Sequence, residues 1–106
     1  MSPFIWFELG RVAEERKDYE RALLEYDKLA DTYPSARESI LAKISAARLC
    51  LKRLNRPHDA LRFYEEASAS VVPHLDLDRD IQVGIQQAKD VLSQNAQLSA
   101  GAASTG

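Results

Sequence analysis

At 106 residues the chain is long enough for one domain with a modest core, which excludes an enzyme built from separate cofactor and substrate domains. Its 45% apolar and 28% charged residues are the balance of a globular chain, and no window reaches the roughly 18 apolar residues that span a bilayer. A formal charge of -2 offers no general attraction to nucleic acid or anionic lipid, and the single cysteine, Cys50, excludes an internal disulfide and a Cys/His zinc set.

In chain order the periodicity predicts helices almost throughout. Ser2-Pro3 reads as an N-cap followed by proline at the first helical position, opening a helix from Phe4 to Arg16. Asp18 is placed to cap a second helix over about Tyr19 to Thr32, whose buried stripe is Ala22, Leu23, Tyr26, Leu29 and Ala30. Tyr33-Pro34 ends it. Ser35-Ala36-Arg37-Glu38 has the form of a capping box and opens a third helix to about Arg53, with Ile40, Ile44, Ala47, Leu51 and Leu54 inward. Asn55-Arg56-Pro57 turns the chain into a fourth helix carrying Ala60, Leu61, Tyr64 and Ala67, and Val72-Pro73 stops it. Asp76 or Asp78 is placed to cap a fifth helix, about 76–94, in which Gly84 implies close approach of another helix. The small polar residues 95–106 read as a flexible tail.

The pattern Ala22-x-x-x-Tyr26-x-x-Leu29 returns 38 residues later as Ala60-x-x-x-Tyr64-x-x-Ala67, each time after an amphipathic helix and a short turn. A helical hairpin is repeated. Trp6-x-x-Leu9-Gly10, Tyr19, Ala22-x-x-x-Tyr26 and Pro34 stand at the spacing of the tetratricopeptide repeat, and residues 3 to 72 resemble that family. The second repeat keeps Leu51, Ala60, Tyr64 and Ala67 but has Ile44 in the tryptophan slot and Ala47-Arg48 for Leu-Gly. Its longer junction after Tyr33-Pro34-Ser35 is similar to that of repeat proteins of the bacterial envelope, while the compartment of this chain stays open.

The resemblance implies an all-α, right-handed superhelical array of five helices, with repeats at about 3–35 and 36–72, a capping helix after them, and large Trp6, Leu9, Tyr19 and Tyr26 filling the gaps between hairpins. It further implies an adaptor that binds a peptide or partner helix in a concave groove, whose ligand face is Phe4, Phe7, Arg11 and Glu14 with Ala42, Ser45, Leu49 and Lys52. Phe7 and Arg11 replace the lysine and asparagine with which such domains grip free C-termini.

Charge adds Arg48 to that face. Residues 36 to 56 hold six bases against one acid, and Arg48, Lys52 and Arg56 fall at four-residue steps, a stripe suited to an acidic peptide. The alternative is a solvated face whose charges meet Glu14 and Glu15. The run Phe4-Ile5-Trp6-Phe7 cannot all be buried by one hairpin partner, so an aromatic N-terminal face is expected outside, available for a homodimer or left by the loss of a preceding helix. His58 and His74 lack a nucleophile at triad spacing, Glu14-Glu15 and Glu65-Glu66 point apart, and Asp76, Asp78 and Asp80 lack the glycine and glutamate of a calcium loop. The expectation is a binding module with no catalysis, cofactor, metal or nucleic-acid partner and no membrane insertion by this segment. A self-associating structural unit and a regulatory appendage of an enzyme or membrane protein are the alternatives.

Overall fold

A computed structural model describes residues 1–105, with side chains through Ala100. The chain forms α1 (Pro3–Glu15), α2 (Tyr19–Thr32), α3 (Arg37–Lys52), α4 (Pro57–Ser68) and α5 (Asp78–Thr105), with a 3-10 turn at Leu75–Leu77 and no strand among the described residues. Caps set the first two starts, as the sequence predicts: Ser2 Oγ accepts the Ile5 N–H at 3.2 Å and Asp18 Oδ1 accepts the Arg21 N–H at 3.3 Å. Pro57 occupies the first turn of α4, where its missing N–H is harmless.

The third start differs from expectation. Ser35 and Glu38 form no capping box; the N-cap is Ala36, which makes no side-chain bond, and the Ala36 N–H closes a turn onto Tyr33 O at 3.0 Å instead. Asp76 does not cap the fifth helix either. Arg37 of α3 takes its carboxylate in a two-pronged pair, which holds the Asp76 carboxyl below its ordinary range and ties the α3 start to the turn before α5. The α5 helix continues to Thr105 rather than ending near residue 94, because the alanine-rich stretch that reads as a tail contains no breaker stronger than Gly101. Ser93–Ala100 are exposed along it, and the last residue of the expected tail, Gly106, lies outside the described residues.

Consecutive helices pack side by side, and α3 also touches α1 and α5. The even helices α2 and α4 do not touch each other. Three odd helices therefore make one layer and two even helices a more open one. The two turns inside the hairpins match: Lys17 (φ 61) and Asn55 (φ 53) take the left-handed conformation 38 residues apart.

Two tyrosines set how closely the layers approach. Tyr26 of α2 is buried against Gly10 of α1, and Tyr64 of α4 against Gly84 of α5. A Cβ on Gly10 would stand 2.4 Å from the Tyr26 ring, and one on Gly84 would stand 2.3 Å from the Tyr64 ring. The close approach that Gly84 implies in the sequence is thus met by a ring. Around these contacts lie Ala22, Leu29, Ala46, Ala47, Cys50 and Ala60, all inaccessible to water. Helix α3 is covered on most of its circumference, and the residues crowded there are small: Ser39, Ala42, Ser45, Ala46 and Ala47.

One residue of the repeat signature is not in the core. Leu9 is 44% exposed, because its side of α1 faces away from α2 and α3 and no further hairpin stands beside it. Trp6 does pack, edge-on to Tyr33 with ring centres 6.3 Å apart, and its indole N–H donates to Glu25 Oε2 at 2.6 Å.

Alanine in place of glycine inside an exposed helix normally stabilises by about 1 kcal/mol. Gly10→Ala and Gly84→Ala are expected to do the opposite, destabilising by roughly 1–3 kcal/mol through overpacking against the tyrosine rings. Denaturant midpoints of the two variants check this.

Candidate functional site

The odd-helix face carries two adjoining clefts. The first, of about 290 Å3, is lined by Glu14 and Glu15 of α1, Tyr19 at the start of α2, Arg48, Leu49 and Lys52 of α3, and Arg53 just after it. The second, of about 330 Å3, lies between α3 and α5, with Ile44, Tyr64, Arg79, Asp80, Val83, Gly84 and Gln87 on its walls. Arg48 and Lys52 line both and form the ridge between them.

The ridge is braced from below. Glu14 Oε1 accepts from the Arg48 guanidinium at 2.7 Å, and its other oxygen accepts from the Tyr26 hydroxyl at 3.1 Å. One carboxylate thereby links α1, α2 and α3. Burial, then the Glu14 charge, pushes the Tyr26 phenol well above its ordinary range, with the Ser45 hydroxyl as a second hydrogen-bonding contact pulling the other way. Arg53 lies over the Tyr19 ring, 5.5 Å from its centre. Lys52 and Arg79 form no ion pair among the described residues, so their charges are available at the cleft surface.

Of the residues the sequence points to, Glu14, Arg48, Leu49 and Lys52 come together here. The others do not. Ser45 and Leu49 are only 7% and 3% exposed, because the face of α3 that looks toward α1 is covered by the first hairpin; Leu49 is cleft floor, and Ser45 lies beneath with Tyr26. Ala42 is fully buried on the same side. Phe7 leans on Tyr26 with ring centres 5.5 Å apart, so it belongs to the interior and not to an exposed aromatic face. Phe4 is exposed beyond both clefts, and Arg11 is exposed and paired with Glu8 at 3.1 Å. Arg56 pairs with Asp59 at 2.9 Å, away from the ridge. The solvated-face alternative is right for Arg48, which meets Glu14.

The second cleft has no counterpart in the sequence analysis. Tyr64 reads there as core and Arg79, Asp80 and Val83 as ordinary helix surface; the available signal is Arg79 and Val83 one turn apart beside Gly84.

Reactive groups lie elsewhere. His74 sits in the linker with Nδ1 2.7 Å from Val72 O, and His58 is exposed at the start of α4. No group of three potential metal-binding side chains occurs among the described residues. Burial pushes the Cys50 thiol up to about 11 from an ordinary 9.0. The folded state therefore keeps a proton that the unfolded chain releases first, and this contribution to stability is full below pH 9 and lost as pH rises through 11. The denaturant midpoint is expected to be flat up to that range and to fall above it, with Cys50→Ala removing the earliest part of the fall and leaving the later part due to Tyr26 and Tyr64. A thiol reagent at mildly alkaline pH is expected to react with Cys50 only as fast as the domain unfolds.

Comparison with known proteins gives no match to a protein-family model, to a curated protein or to a solved structure.

Proposed function

We propose that this chain is a tetratricopeptide-type repeat module, its hairpins stacked in a right-handed superhelix, that holds an extended acidic segment of another polypeptide across α1, α3 and α5. The observation that carries the reading is the pair of clefts meeting at Arg48 and Lys52. The repeat itself is supported by three recurrences: Ala22 and Ala60, Tyr26 and Tyr64, and the left-handed turn residues Lys17 and Asn55, each pair 38 residues apart. Close odd helices and separated even helices favour curvature toward the odd face, which makes that face the inner one.

The acidic preference follows from which charges are already satisfied. Glu14 is committed to Arg48 and Tyr26, whereas Lys52 and Arg79 have no acidic partner among the described residues. A ligand carboxylate between them gains two cations without displacing an existing pair. Three neighbouring helices at about 8–10 Å spacing are crossed by roughly six extended residues, which sets the ligand length. Tyr19, Leu49 and Tyr64 offer apolar surface to alternate side chains of such a strand. In this reading the module positions a partner and carries out no reaction.

Selection of random peptides on the immobilised domain tests the proposal. The retained sequences are expected to be acidic, with Kd in the micromolar range, and Lys52→Glu is expected to weaken them by about tenfold or more. Lys89→Glu, on α5 away from the clefts, is the control and should change little. Peptides without acidic bias, or binding indifferent to Lys52→Glu, would contradict it.

A further inference from the structure

The side of α1 that faces away from α2 and α3 carries Ile5, Leu9 and Val12, which are 54%, 44% and 39% exposed and recur at four- and three-residue steps. They form one uncharged stripe three turns long, extended by exposed Met1. Helix α3 shows what such a side is built to do. The residues 37 positions later are Ala42, Ala46 and Leu49, and all three are buried where α3 stacks on the first hairpin. The α1 stripe thus continues the internal stacking surface at the end of the array where no hairpin covers it.

We propose that a second copy of this chain covers the stripe, α1 against α1, in a reversible dimer. This proposal does not rest on the groove reading. The other end of the array excludes head-to-tail stacking: the outer side of α5 is polar, with Gln82, Gln86, Lys89 and Asp90 exposed and the Gln86 amide donating to Asp90 at 2.9 Å. An apolar edge finds no match there, so two copies meet through the same patch on each. The charges flanking the stripe are settled within the chain, Glu8 with Arg11 at 3.1 Å and Arg21 with Glu25 at 2.9 Å. Two copies can therefore approach without unpaired like charges. A single helix stripe buries less than the roughly 800 Å2 per partner of a stable interface, which makes the dimer weak and dependent on concentration.

Sedimentation equilibrium of the whole chain from about 10 μM to about 1 mM reads the outcome directly. The wild type is expected to pass from monomer to dimer across this range. Leu9→Arg and, independently, Ile5→Glu are expected to raise the dissociation constant by about tenfold or more, with circular dichroism unchanged because both side chains are exposed. Val71→Arg, fully exposed in the loop after α4, should leave it unaltered. A monomer at every concentration overturns the proposal and leaves the stripe to a different polypeptide. A dimer insensitive to both stripe variants overturns it as well, placing the contact elsewhere.

Discussion

The packing of Tyr26 on Gly10 is the contact on which most of this molecule depends. A side chain at Gly10 would occupy the space of the ring, so only glycine lets α1 approach α2 closely enough to bury the phenol and aim its hydroxyl at Glu14. That hydroxyl helps fix the Glu14 carboxylate, which in turn holds the Arg48 guanidinium on the ridge between the two clefts. A backbone requirement in α1 is thereby transmitted through α2 to the surface of α3. Tyr64 on Gly84 repeats the arrangement one hairpin later and forms a wall of the second cleft.

Helix α3 carries the other constraint. Neighbours on three sides leave it only one exposed strip, and the small residues Ser39, Ala42, Ser45, Ala46 and Ala47 are what permit that crowding. What remains outside on its cleft side is charged: Arg48 and Lys52. The chemistry that this face offers a ligand is accordingly set by long cationic side chains over an apolar floor, and by little else. The apolar stripe of α1 is the converse case, the same kind of stacking side with nothing stacked on it.

Much of this was legible in the residues, for identifiable reasons. Helix α2 begins and ends where Asp18 and Tyr33-Pro34 place it, since a side-chain cap and a proline are local devices. Gly84 inside a helix announced a close approach for the same kind of local reason. The failures concern what depends on neighbours. A single apolar stripe underestimates the burial of a middle helix packed on several sides, which is why Ser45 and Leu49 read as surface and are not. Leu9 reads as core because its motif presumes a preceding hairpin. Ser35 and Glu38 have the letters of a capping box, but the turn at Pro34 starts the helix one residue late for it. The second cleft was invisible because its walls come from α3, α4 and α5, whose juxtaposition no local pattern records.

The central claim is that the odd-helix face holds an extended acidic segment at Lys52 and Arg79. Amide chemical-shift mapping of the isotope-labelled chain, titrated with a peptide of about six residues alternating glutamate and leucine, addresses it most directly. The account predicts saturable shifts centred on Arg48, Lys52, Tyr64 and Arg79 that fade as salt is added, with the outer sides of α2 and α4 silent. Shifts centred on those outer sides, or no saturable change at millimolar peptide, would contradict it.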